Sequence, residues 1–257
     1  MKKRDLLAPL FAFALLIATW ETTVRYLELA PHVLPAPSLI LQTIGTDARL
    51  LFGSLFVTLR ITFAALLVAT LAGVLLAVLF AASRQAERAL FPIAVIFQVT
   101  PIIAIAPLLL IYLEPANAVL ACAALVAFFP ILSNTALGLA SADRQLRDLF
   151  ALYDAGWLKT LVYLRLPTAL PYFLGGLRIA GGLALIGAVV GEIAAGSGGA
   201  GSGLAWRIME AGHRVNIPRM YAALILIVLA GVAIFALLSW LQHIALRRWH
   251  ASAIATE

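Results

Sequence analysis

Few side chains in this sequence could do chemistry. Glu192 stands in the apolar run IGAVVGEIAAG, where a carboxylate is costly and needs a role or a partner. It is either a gate or pathway residue, or an interface carboxylate paired with an arginine or a backbone amide. Gln98 and Thr100 lie just before Pro101 in a second apolar run, and Asn134 and Thr135 lie in a third. Polar groups in such places either face a pathway or hydrogen-bond to a neighbouring helix. Arg178 opens the run that holds Glu192 and is expected to snorkel or to pair with the preceding loop. His32, His213, His243 and His250 have no ligand spacing to one another, and Cys122 is the single cysteine, so no metal site and no disulfide are expected. No Ser/His/Asp grouping stands out. The glycine-rich run Gly196–Gly203 lacks the Lys-Ser/Thr of a phosphate loop and reads as a turn outside the cytoplasm. No catalytic residue is assigned.

The elements that would position these residues are apolar helices. The chain is 63% hydrophobic and 12% charged, whereas soluble domains carry roughly 25% charged residues. Apolar stretches long enough for about 30 Å of hydrocarbon run over 6–24, 55–82, 89–113, 118–139, 168–195 and 220–246. The expected fold is therefore all-α, a polytopic bundle of six transmembrane helices in one domain over 1–257. The first span is expected to be uncleaved, because Trp20 and Glu21 follow its apolar run Leu6–Thr19 where a signal peptide would carry small residues. A short helix is expected from Ser38 as N-cap. Pro101 and Pro107 should kink the third span.

Eleven basic residues cluster at the N-terminus, at Arg84 and Arg88, at Arg144, Arg147, Lys159 and Arg165, and in the tail. Five lie on the other side: Arg25, Arg49, Arg207, Arg214 and Arg219. The positive-inside rule then places both termini and the loop between spans four and five in the cytoplasm. The net charge of +6 reports topology and not nucleic-acid binding.

That loop, Asp143–Pro171, is the longest polar interruption. Leu146, Phe150, Tyr153, Trp157, Leu161 and Leu164 recur at helical steps and make one apolar stripe. Gly156 predicts a break near Asp154–Trp157, and Pro167 and Pro171 are expected to end the segment. Two short helices lying flat beneath the bundle result. They either rest on the membrane surface or dock into a protein groove. Gly175, Gly176, Gly181, Gly182, Gly187 and Gly191 favour close helix packing in span five.

Ala155–Pro171, followed by Gly175–Ala180, resembles the cytoplasmic loop of importer-type ABC permeases. Counted back from Leu166-Pro167, the glycine of that family's loop signature falls on Asp154. Gly175–Gly199 and Leu34–Ser38 are similar to the nitrate/sulfonate/taurine branch, and the resemblance covers roughly residues 30 to 250. It implies that segment 143–167 is a coupling helix docking onto an ATPase through Leu149, Phe150, Tyr153, Asp154, Ala155, Gly156, Trp157 and Leu158. It also implies two copies forming a substrate pathway in a bacterial inner membrane, with two ATPase subunits that bind ATP and Mg, and an extracytoplasmic substrate-binding protein. No cofactor is expected in this chain. Substrates of that branch are small polar organics or oxyanions: nitrate, sulfonates, taurine, or vitamin precursors such as a pyrimidine. The competing classes are a self-sufficient channel or secondary transporter, and a membrane-embedded enzyme.

Overall fold

The computed structural model describes residues 3–196 and 201–247. Part of the expected glycine-rich turn, over 197–200, lies outside the described residues, as do Lys2 and the tail from Arg248. The described residues form helices α1 (Lys3–Tyr26), α2 (Pro37–Thr46), α3 (Ala48–Ala82), α4 (Arg84–Val99), α5 (Ile102–Tyr112) and α6 (Pro115–Ala140). They continue as α7 (Arg144–Leu152), α8 (Trp157–Thr160), a π-helical turn (Leu161–Arg165), α9 (Leu166–Ala195), α10 (Leu204–His213) and α11 (Ile217–Leu246). The fold is all-α. Among the described residues, four helices are long and apolar enough to cross a membrane: α3, α6, the continuous run Trp157–Ala195, and α11.

The third expected span is not one straight helix. α4 and α5 meet at a bend of 101°. Pro101 donates no amide hydrogen, and it pushes the residue before it out of the helical region. Thr100 (φ −74°, ψ 124°) and Pro101 (φ −62°, ψ 119°) are both extended, and two extended residues in a row turn the axis. α4 starts beside the end of α3, while α6 starts beside Glu192, so the bent pair joins the two ends of the bundle.

The loop also differs from expectation. The break falls near Asp154, but the second helix is not separate: from Trp157 the chain runs into α9 through the π turn. Leu166 N–H donates to Leu161 O, one residue further back than in an α-helix, and this widened turn is where Pro167 enters. Pro171 lies inside α9 and does not end it. The apolar stripe is therefore divided. Leu161 and Leu164 are buried in the bundle, while Leu146, Tyr153 and Trp157 stay exposed. Ser38 is not an N-cap either. Ala36 holds that position and Pro37 is the first helical residue.

α6 and α9 form the central seam, and glycine makes it possible. A Cβ on Gly176 would lie 2.7 Å from Pro130 O, one on Gly187 2.7 Å from Ala123 Cα, and one on Gly191 2.9 Å from Val119 Cα. Without hydrophobic drive between helices in lipid, such close backbone approach is what holds them. Gly175 and Gly182 meet nothing within 4 Å. Around the seam, Leu66 and Ala69 of α3, Ala127 and Ile131 of α6, Ala180 and Ala184 of α9, and Ala230 and Ile234 of α11 form a core of mostly small side chains.

Candidate functional site

Buried polar groups gather at one end of the bundle. α3 carries Ser54, Thr58 and Thr62 four residues apart on one face, all buried. Thr58 Oγ1 donates to Glu192 Oε1 (2.8 Å) and accepts from Leu204 N–H (2.9 Å). Glu192 Oε2 accepts from Ala205 N–H (3.0 Å). A Cβ on Gly203 would collide with the same carboxylate. Glu192, 5% exposed, thus lies against the N-terminus of α10. There unpaired amides and the helix dipole favour an anion. A fixed hydrogen-bond set of this kind offsets the cost of burying a charge. Of the two readings left open, this geometry favours the backbone-amide pairing.

The same knot extends along α10. Arg207 Nε donates to Ser54 Oγ (2.9 Å), and Arg207 also pairs with Glu210 at 2.8 Å. Glu210 takes Arg214 as well (3.0 Å), and Arg219 reaches Asp47 ahead of α3 at 2.6 Å. The hydrogen bond from Arg207 holds the Glu210 carboxyl below its ordinary range, against a smaller opposing effect of burial. A second glutamate repeats the device. Glu21 on α1 accepts from the amide (3.0 Å) and hydroxyl (2.7 Å) of Ser38 at the start of α2. Sequence reasoning missed Ser54, Thr58, Arg207 and Glu210. The four-residue spacing of Ser54, Thr58 and Thr62 in an apolar helix was the available signal.

The other polar residues singled out lie elsewhere. Gln98 and Thr100 line a cleft of about 340 Å³ at the α4–α5 bend, together with Val126, Pro130 and Leu183. Pro130 has no amide to give the carbonyl of Val126, so a backbone acceptor borders this cleft. Thr100 Oγ1 donates to Ile96 O (2.6 Å). Asn134 sits one turn further along α6, donating through Nδ2 to Pro130 O (2.8 Å) against Gly176 of α9. Glu192 is not part of this group. Arg178 does not open a helix. It lies about 18 Å along α9 from Leu166 at 1.5 Å per residue, with its guanidinium 5.4 Å from the Phe235 ring centroid.

At the opposite end, α7 has no buried residue. Leu149, Tyr153, Asp154, Gly156, Trp157 and Leu158 are exposed, with Leu152 at 81% and Tyr153 at 78%; Phe150 and Ala155 are half-buried. Asp143 starts α7 by accepting from Gln145 N–H (2.7 Å). The turn after it is made by Asp154 at φ +51°, closed by Ala155 N–H donating to Phe150 O (2.9 Å). Gly156 has an ordinary φ of −59°. The left-handed residue is thus Asp154, the position at which the family signature carries glycine, and not Gly156.

The family described as "binding-protein-dependent transport system inner membrane component" matches residues 69–250. A probable ABC transporter permease protein of Haemophilus influenzae is 34% identical over 94% of this chain and 97% of its own length. The formylaminopyrimidine transport permease protein of Halalkalibacterium halodurans is 35% identical over 93% of this chain and 95% of its own. The riboflavin transport system permease protein of Chloroflexus aurantiacus is 32% identical, over 93% and 88%. Among solved structures, an amino acid ABC transporter crystallised with histidines superposes with a TM-score of 0.63 at 19% identity, covering 78% of this chain and 96% of that one.

Proposed function

The chain belongs to the family of inner membrane components of binding-protein-dependent transport systems, and from that membership we propose that two copies of it form the pathway of an ATP-driven importer for a small polar organic solute. It is a multi-pass permease component of an ABC importer. In the proposed assembly two ATPase subunits, holding ATP and Mg, grip the exposed face of α7. An extracytoplasmic binding protein delivers solute at the Glu192 end. Both termini are cytoplasmic, and α1 and the bent α4–α5 pair complete six crossings. Of the substrate classes open to this branch, a pyrimidine-like vitamin precursor is favoured over an oxyanion. The relatives named for formylaminopyrimidine and riboflavin transport are 35% and 32% identical over nearly the whole chain.

The observation that carries the proposal is the exposed apolar face of α7, joined by one left-handed residue to a helix that does not end until Ala195. An exposed aliphatic and aromatic face is what a groove on a protein partner recognises. A push on α7 would reach Trp157 and travel along the run to Glu192, about 50 Å away at 1.5 Å per residue. Glu192 holds the N-terminus of α10, so a shift of α9 would move α10 with it. Such a lever joins the ATPase end to the delivery end. Gln98 and Thr100, at the bend beside α6 and α9, are the proposed pathway contacts; Asn134 stiffens the seam next to them.

The test is co-purification of the ATPase subunit with the wild-type chain and with Tyr153→Asp. Loss of the ATPase from a variant that still reaches the membrane supports docking through α7. Uptake by this chain with no ATPase present would instead favour a self-sufficient channel.

A further inference from the structure

Three arginines from three elements close on one cavity at the α7 end. Arg84 starts α4, Arg147 lies in α7, and Arg165 ends the π turn; together they border a space of about 360 Å³. Phe80 and Leu139, both nearly fully buried, close the cavity behind them. Glu87 is the one carboxylate on the rim. None of the three guanidinium groups is within ion-pair distance of any carboxylate among the described residues. Arg165 gives one bond to protein, from Nη1 to Ala81 O at the end of α3 (3.1 Å), and its buried Nε has no acceptor.

Such an arrangement is incomplete by itself. Like charges set around one cavity repel, and a buried donor without an acceptor costs about 1–3 kcal/mol in general. Capping the α3 carboxyl end explains one of Arg165's donors and leaves Nε unexplained. It explains nothing of Arg84 or Arg147. We propose that this cavity binds a phosphate group, held by the guanidinium forks of Arg84, Arg147 and Arg165. The planar fork of arginine matches phosphate oxygens two at a time. The membrane-crossing helices α3 and α6 that border the cavity point to a phospholipid as the source, its headgroup phosphate sitting among the arginines at the helix ends. Basic pockets between membrane helices take anionic lipid headgroups in this way. The occupant would tie α7 to the ends of α3 and α6.

Native mass spectrometry of the full chain purified with its partner subunits tests this, using phosphatidylglycerol, phosphatidylethanolamine and inorganic phosphate as probes. The wild-type chain should retain phosphatidylglycerol in preference to phosphatidylethanolamine. Arg147→Gln should weaken that retention about fivefold, the worth of one basic residue near a lipid surface. Arg147 makes no bond within the protein that its loss would break. Arg165→Gln should weaken retention further, and Glu87→Gln should strengthen it. Displacement of the lipid by millimolar inorganic phosphate, with the same ranking of variants, keeps the phosphate site and assigns it to free phosphate. Equal retention of both lipids, or retention unchanged in Arg147→Gln and Arg84→Gln, overturns the proposal. If those variants instead lose the ATPase subunit while lipid retention is unchanged, the arginines serve a protein carboxylate and the phosphate site is refuted.

Discussion

Replacing Thr58 by valine keeps the shape of a fully buried side chain and deletes one hydroxyl. That hydroxyl serves two partners at once: it donates to Glu192 and accepts from Leu204 N–H. Valine would leave the Leu204 amide without an acceptor, at about 1–3 kcal/mol, and remove a charge-assisted bond worth about 1.5–3 kcal/mol. Hydrogen bonds between helices inside membranes average nearer 0.6 kcal/mol, and with that value for the second bond the expected loss is about 2–4 kcal/mol. Thr58→Ser keeps the hydroxyl and loses one methyl group, at about 1 kcal/mol. Cys122 provides the assay, because it is the single cysteine and is buried on α6. Its labelling by a thiol-reactive dye on heating reports loss of the bundle. At about 2–4 °C per kcal/mol, Thr58→Val should melt roughly 5–15 °C below wild type, and Thr58→Ser only a few degrees below. Equal melting of the two variants would show that the hydroxyl does not hold α10 to α3 and α9.

Gly187→Ala should separate α6 from α9, since its Cβ would press on the Ala123 backbone, at about 1–3 kcal/mol for overpacking; Gly175→Ala, facing open space, should be neutral or gain up to about 1 kcal/mol of helix propensity, both read by Cys122 labelling. Asp154→Gly should preserve ATPase co-purification while Asp154→Val weakens it, because a β-branched residue resists the left-handed conformation; Gly156→Ala should have no effect, which limited proteolysis of the loop would verify. Glu210 titrates below its ordinary value, so its pairing contributes stability above the usual glutamate range and loses it as the pH falls through the lowered value. Glu210→Gln should therefore flatten the fall in melting temperature below about pH 4.5 and lower stability at neutral pH.

Much of the helical framework was open to reading because lipid imposes a strong constraint, and apolar length follows from it directly. Packing by Gly176, Gly187 and Gly191 was legible for the same reason, while their neighbours Gly175 and Gly182 turned out to face open space. Proline was harder to read. Pro101 breaks its helix by 101°, whereas Pro167 is absorbed by a π turn and Pro171 by α9. The break was placed where it falls, near Asp154–Trp157, but on the wrong residue: propensity pointed to Gly156, whereas the left-handed residue is Asp154. Thr58 was hidden by its own mildness. A threonine in an apolar run attracts no notice until Glu192 and the start of α10 are seen to meet at it.

The central claim is that this chain couples ATP hydrolysis to solute movement through the loop of α7 and α8. Its most direct test is ATP hydrolysis by the importer reconstituted in proteoliposomes, with and without solute-loaded binding protein, for the wild-type chain and for Trp157→Asp. The wild-type assembly should hydrolyse ATP faster when loaded binding protein is added. Trp157→Asp, still inserted in the membrane, should lose that stimulation. Stimulation equal to wild type in the variant would contradict the account and return α7 to the role of a helix resting on lipid.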